Sequence, residues 1–248
     1  MTVFLTSSPT GPLDNSYHVD GMDPRNGFRD QLSRRWPSNP RCLIISAFPD
    51  DSAANDEMRS FFENAIWISG LPIDTLDLWD SRNPGLSRET LQGYGVILLG
   101  GGHVPTQHAF FERIQLRDKL IGYEGIIIGI SAGSMNAARL VYAQPELPGE
   151  STDPHYIRYF AGLGLTDTMI LPHYQMVRSN LLDNRRLFED ITYPDSIGRR
   201  FLVLPDGSYM LHEQDMETVF GEAYQLQDGL LTQICTENHT CAWTAHCS

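Results

Sequence analysis

Two stretches of the chain, residues 95–101 (GVILLGG) and 125–131 (GIIIGIS), carry unbroken apolar or glycine runs where a half-exposed strand would alternate. A strand with one face in water alternates apolar and polar residues; a strand covered on both faces does not. These two runs therefore predict central strands of a parallel sheet with helices packed on either side. Further β-type runs occur at VFLTSS from Val3, CLIISAF from Cys42 and PIDTLDLW from Pro72. Between the second and third, residues 55–69 place Met58, Phe61, Phe62, Ala65 and Ile66 on one helical face. Between the two apolar runs, Thr106 is positioned to cap a helix with Phe110, Ile114 and Ile121 turned inward. Strand–helix–strand repetition of this kind predicts an α/β fold: a mostly parallel open sheet flanked by helices on both faces.

The last third differs. FLVLPD, SYMLHE and ETVFGEAYQLQDG are short β-type stretches broken by Pro205-Asp206-Gly207 and Asp228-Gly229. They read as a final parallel strand followed by antiparallel strands at one edge near the C-terminus. The 248 residues read as a single domain. Residues 9–23 and 144–156 are polar, Pro-rich excursions, the kind of long loop that is usually functional or disordered.

The second apolar run ends in Gly129-Ile130-Ser131-Ala132-Gly133 and passes into a helix-compatible stretch. Gly-x-Ser-x-Gly has meaning in this strand-to-helix setting. A sharp turn exposes the serine hydroxyl, and the following helix presents unpaired N–H groups to a developing oxyanion. Ser131 is the expected nucleophile and the Ala132 N–H an oxyanion donor. The glycine cluster Gly100-Gly101-Gly102 follows the neighbouring run and would reach the same carboxyl edge of the sheet; it lacks the Lys-Ser/Thr ending of a phosphate loop.

A serine nucleophile needs a base. Of eight histidines, His239 and His246 lie in the polar tail, His18 and His155 in the long loops, His108 within a helix and His212 in an edge-strand stretch. His103 lies beside the glycine cluster. His173, in MILPHYQ, follows a short apolar strand and so stands at a strand's carboxyl end. Asp206 ends FLVLPD in the same way and could orient the imidazole. A structural histidine and a structural Pro-Asp-Gly turn are the alternatives at these two positions. The order serine, histidine, aspartate is not that of the α/β-hydrolases, which points to the same chemistry on a different fold.

Four segments together resemble the peptidase E (aspartyl dipeptidase) family, whose fold is like that of class I glutamine amidotransferases and which has cyanophycinase as a wider relative. They are ILLGGGHVPTQ, IIIGISAGSMNAA, ILPHYQ and LVLPDGSYM, and the likeness runs from about Val3 to Gly229. The resemblance implies Ser131, His173 and Asp206 as the catalytic residues, Gly102 and Ala132 as the oxyanion hole, and hydrolysis of a short peptide through an acyl-enzyme. It implies no metal and no organic cofactor. It also implies a dipeptide substrate with an amino-terminal aspartate, for which Arg185 and Arg186, read as part of a helix-like stretch with Arg178, and His103 are candidate contacts. A cyanophycinase-like or other amide or ester hydrolase is the alternative, and a non-catalytic binding module of the same fold a third. The chain departs from the family in three places: His103 stands where Asn is usual, Asp206 where peptidase E has glutamate, and the 9–23 loop is longer.

The net charge of −13 argues against nucleic acid and anionic membrane as partners. No apolar run approaches the roughly 20 residues of a membrane span, and the first residues lack a signal-peptide pattern, so a cytoplasmic location is expected. A homo-oligomer is left open. Cys42 reads as core packing. Cys235, Cys241 and Cys247, with His239 and His246 nearby, fit no usual zinc spacing and read as free thiols.

Overall fold

The computed structural model describes residues 1–11, 21–83 and 85–244. Most of the 9–23 excursion, including His18, lies outside the described residues, as do His246 and Cys247.

The main sheet has eight strands. Its parallel part comprises β1 (Thr2–Thr6), β2 (Arg41–Ile45), β3 (Thr75–Trp79), β4 (Val96–Leu99) and β5 (Ile126–Ile130), in the spatial order β1-β5-β4-β2-β3. The antiparallel strands Tyr209–Glu213, Met216–Phe220 and Thr240–Trp243 extend the sheet beyond β1. The fold is thus α/β, with a mostly parallel centre flanked by helices and antiparallel strands from the C-terminal part of the chain.

The unbroken apolar runs are explained by what covers them. On β4, Val96 and Leu98 face a layer containing Phe28 and Leu32 of the Phe28–Arg35 helix and Phe62 and Ile66 of the Ser52–Ile68 helix. Ile97 and Leu99 face the opposite layer, with Phe110 and Phe111 of the Val104–Arg113 helix. All four β4 side chains are fully buried, each contributing on the order of 1.5–3 kcal/mol of transfer free energy. No helix among the described residues is long and apolar enough to cross a membrane.

Several expectations change. The helix after the glycine cluster begins at Val104 with His103 in the N-cap position, three residues earlier than a Thr106 cap, because Pro105 suits the first turn. Ile121 does not turn inward; it lies in the turn after the short Leu116–Lys119 helix and is exposed. The FLVLPD strand, Arg200–Val203, does not join the main sheet. It pairs in parallel with Met169–Leu171 and antiparallel with Ala223–Gln227, which continues to Leu230–Cys235, forming a separate four-stranded sheet. The ETVFGEAYQLQDG stretch is accordingly split at Gly221 between the two sheets. The Arg185–Arg186 segment is not helical. Leu181–Leu182 and Arg185–Arg186 form a small hairpin across Asp183 and Asn184, both at positive φ (52° and 62°) as a two-residue hairpin turn requires.

Cys42 and Cys235 are buried free thiols and Cys241 is half-buried. Among the described residues there is no group of three or more side chains arranged to hold a metal ion.

Candidate active site

Ser131 joins β5 to the Ala132–Asn136 helix at φ 50°, ψ −110°. Such a conformation costs a non-glycine residue about 1–3 kcal/mol and persists only where the surroundings fix it. Here the Ser131 N–H donates to the Thr6 carbonyl of β1 (3.0 Å), and its own carbonyl accepts from the Ser134 and Met135 amides (2.9 and 3.0 Å). The Ser134 hydroxyl donates to the Thr6 carbonyl (2.7 Å) and accepts from the Thr6 N–H (2.9 Å). The two glycines of the motif are demanded by close approach. A Cβ on Gly133 would stand 2.2 Å from the Leu99 carbonyl oxygen, and one on Gly129 2.9 Å from Ser134 Cα.

The glycine cluster after β4 lies against this elbow. A Cβ on Gly101 would sit 3.5 Å from Ser131 Cβ. Gly102 adopts φ 155°, and a Cβ there would meet the Phe48 ring at 2.5 Å and Ala47 Cβ at 2.8 Å. Only glycine fits. Among the described residues, neither the Gly102 nor the Ala132 N–H donates a backbone hydrogen bond. Ala132 is fully buried, and a buried unpaired amide costs free energy unless a ligand oxygen takes it.

His173 and Asp206 leave adjacent parallel strands of the second sheet, Met169–Leu171 and Arg200–Val203, at their carboxyl ends. The His173 Nδ1 and Asp206 Oδ1 atoms lie 2.7 Å apart. Asp206 thus reaches the ring although it is one methylene shorter than the glutamate of peptidase E. Burial pushes its carboxyl up, but the hydrogen bond and charge of His173, the Gln175 side chain and Arg25 outweigh this and hold it below the ordinary value. Its backbone is clamped as well. The Asp206 N–H donates to Gln175 Oε1 (3.0 Å), and its carbonyl accepts from Arg25 Nη1 (3.2 Å). Asn26 Nδ2 donates to the Gly207 carbonyl (2.7 Å).

Ser7, just beyond β1, ties the two sheets at this point. Its hydroxyl accepts from the His173 N–H (3.1 Å) and donates to the Leu204 carbonyl (3.0 Å). Because β1 neighbours β5, Ser7 fixes the histidine segment against the strand that carries Ser131. Ser131 and His173 border one cavity of about 260 Å³. No hydrogen bond joins the Ser131 hydroxyl to the imidazole in this structure; in ligand-free sites such contacts often form only when substrate closes the geometry. Replacing Ser7 by alanine should cost about 1–2 kcal/mol in stability, read by urea melts. It should also lower kcat several-fold with KM little changed, because the histidine backbone loses its anchor.

The remaining candidates lie elsewhere. His103 spends both ring nitrogens within the protein, Nδ1 at 2.7 Å from Thr106 Oγ1 and Nε2 at 2.8 Å from Glu150 Oε1. It pins the 144–156 loop beside Gly102. Arg185 and Arg186 are exposed on the hairpin and do not line the cavity; Arg186 is engaged by Asp190 at 2.7 Å. Arg178 lies over the Tyr174 ring at 5.9 Å. Ser7, Gln175 and Arg25, which hold the His173 and Asp206 segments, and Glu146, which lines the cavity, are not singled out by the sequence. Ser7 ends VFLTSS at a strand's carboxyl edge and Gln175 lies two residues after His173, so position could have flagged both; Arg25 and Glu146 carry no comparable signal.

A serine at a strained strand-to-helix elbow, bordering one cavity with a histidine that Asp206 holds, in a class I glutamine amidotransferase-like fold, is the arrangement expected of serine hydrolases of that architecture. Residues 40–219 match the sequence profile described as Peptidase family S51. The chain belongs to that family of serine peptidases. Its fold is similar to that of a peptidase from an acI-B1 Actinobacterium (TM-score 0.66, 15% identity, covering 98% of this chain and 96% of that one). It is also similar to a protein assigned as a peptidase E from Listeria monocytogenes EGD-e (TM-score 0.52, 15% identity, covering 94% of this chain and 97% of that one). A search of curated proteins found no significant match.

Proposed function

We propose that this peptidase hydrolyses short peptides through an acyl-enzyme on Ser131. His173 takes the hydroxyl proton as Ser131 attacks the scissile carbonyl and later delivers it to the leaving amine. Asp206 holds the ring by Nδ1 and stabilises the imidazolium. The Gly102 and Ala132 amides receive the oxyanion. A water then repeats the sequence on the ester, releasing the acid and regenerating Ser131. The observation that carries this reading is that His173, held by Asp206 at 2.7 Å, borders the same cavity as the strained serine.

The cavity, at about 260 Å³, is below the roughly 300 Å³ at which pockets for drug-sized ligands begin. That supports a single residue on the acyl side, as in a dipeptidase; His173 also borders a second cavity of about 800 Å³ on its Asp206 side. The aspartate preference implied by the resemblance gains no support from the Ser131 pocket. No lysine or arginine lines it, whereas Glu146 does. A panel of Xaa-Leu dipeptides tests the reading: several should be cleaved, with aspartyl-leucine among the poorer. Cleavage of long unfolded proteins in preference to dipeptides would overturn it.

A further inference from the structure

The wall of the Ser131 cavity carries one carboxylate and neither lysine nor arginine. Pro145 and Pro172 contribute no backbone N–H. Gln144 donates one Nε2 hydrogen to Thr192 Oγ1 at 2.6 Å, and its side-chain oxygen accepts no hydrogen bond among the described residues. Beside Ser131 and His173, the Asn180 and Gln144 amides are the neutral polar side chains of the lining. Glu146 is the only acidic residue of the lining, and among the described residues its carboxylate makes no hydrogen bond or ion pair.

Its neighbour Glu150 shows what a structural carboxylate looks like here. Glu150 accepts from the Glu146 and Leu147 amides (2.8 and 2.9 Å) and pairs with His103. Asp183 likewise binds the Gly149 and Ser151 amides. The loop carrying Glu146 is therefore held from two sides, and Glu146 is the acid left unused. Desolvation and the like charge of Glu150 push its carboxyl up to about 8, even though the residue as a whole is exposed. A bound positive charge would relieve both effects. Met135, Val177, Leu182 and Leu187 supply apolar walls for an aliphatic stem.

We propose that Glu146 is a specificity-determining residue that docks a cationic group of the acyl-side residue, with a lysine- or arginine-type side chain laid along the apolar wall. This rests on the acyl-enzyme reading above. The same chemistry could be supplied by the free α-ammonium of the substrate, and the substrate set separates the two sources.

The test measures kcat/KM for Lys-Leu, Arg-Leu, Asp-Leu and norleucyl-leucine, the last a neutral analogue of Lys-Leu with the same α-ammonium. Wild-type protein should prefer Lys-Leu and Arg-Leu over Asp-Leu by at least about tenfold. Glu146→Gln should lower kcat/KM for Lys-Leu and Arg-Leu by about ten- to hundredfold, mainly through KM. A loss at least several-fold greater for Lys-Leu than for norleucyl-leucine assigns the docked cation to the side chain; an equal loss for both assigns it to the α-ammonium. Glu146→Lys should invert the preference towards Asp-Leu. Wild-type preference for Asp-Leu, or kcat/KM unchanged by Glu146→Gln for every substrate, would overturn the proposal. Fluorophosphonate labelling of the same preparations separates the two levels. Labelled protein whose kinetics ignore Glu146 refutes only the pocket assignment, whereas wild-type protein that is not labelled refutes the peptidase reading and this proposal with it.

Discussion

Ser131→Ala should reduce dipeptide hydrolysis by at least about 10³-fold, the scale on which removing the nucleophile of a serine triad acts. The residual rate would come from the oxyanion amides and substrate positioning alone. The protein should remain folded, since the elbow is held by backbone bonds to Thr6 and by the Ser134 hydroxyl, none of which involves Ser131 Oγ. Unfolding free energy should change by less than about 1 kcal/mol, because the unusual backbone angles stay and only a half-buried hydroxyl with no hydrogen bond among the described residues is lost. Ser131→Gly, by contrast, should stabilise the fold by about 1 kcal/mol, as the positive φ of 50° no longer opposes a Cβ. Loss of activity together with retained or increased stability is the signature of a strained functional residue; parallel loss of both would mark Ser131 as structural.

The second large effect is expected at Asp206. Asp206→Asn keeps the size of the side chain but removes the charge that stabilises an imidazolium and offers the wrong partner to Nδ1. In a Ser-His-Asp triad the equivalent exchange costs about 10⁴ in kcat, and a similar loss is expected here. Stability should follow a defined pH course. The native carboxyl lies below its ordinary value, so the ionised form contributes stability that is fully present above the unfolded value of about 3.9 and is lost as pH falls through the lower native value. The stability gap between wild type and Asp206→Asn, read from urea melts, should therefore be open at pH 7 and narrow below about pH 4. A gap that stayed constant across that range would mean that His173 and Arg25 do not favour the ionised form.

How much of this was legible in the sequence depended on whether the signal was local. The parallel centre could be read because Val96–Leu99 and Ile126–Ile130 are apolar on both faces, and helices from elsewhere in the chain cover both. The elbow could be read because Gly129 and Gly133 flank a serine between a strand and a helix, and each glycine answers a close contact. The second sheet could not. Arg200–Val203 and Met169–Leu171 are short apolar strands that would suit either sheet, and which sheet they join is decided by packing. The Arg185–Arg186 hairpin does carry a local signal, since Asp183-Asn184 between two dipeptides suits a two-residue turn at positive φ. The fates of His103 and Glu146 were out of reach. One is fixed by Glu150, 47 residues away, and the other is notable for having no such partner among the described residues.

The central claim is that Ser131 is acylated during turnover. Its most direct test is intact-protein mass spectrometry after treatment with a fluorophosphonate, followed by peptide mapping. The account predicts one adduct, on the peptide spanning Ser131, and none on Ser131→Ala or, at equal exposure time, on His173→Ala. An adduct on a different residue, or unreduced labelling of the Ser131→Ala protein, would contradict it.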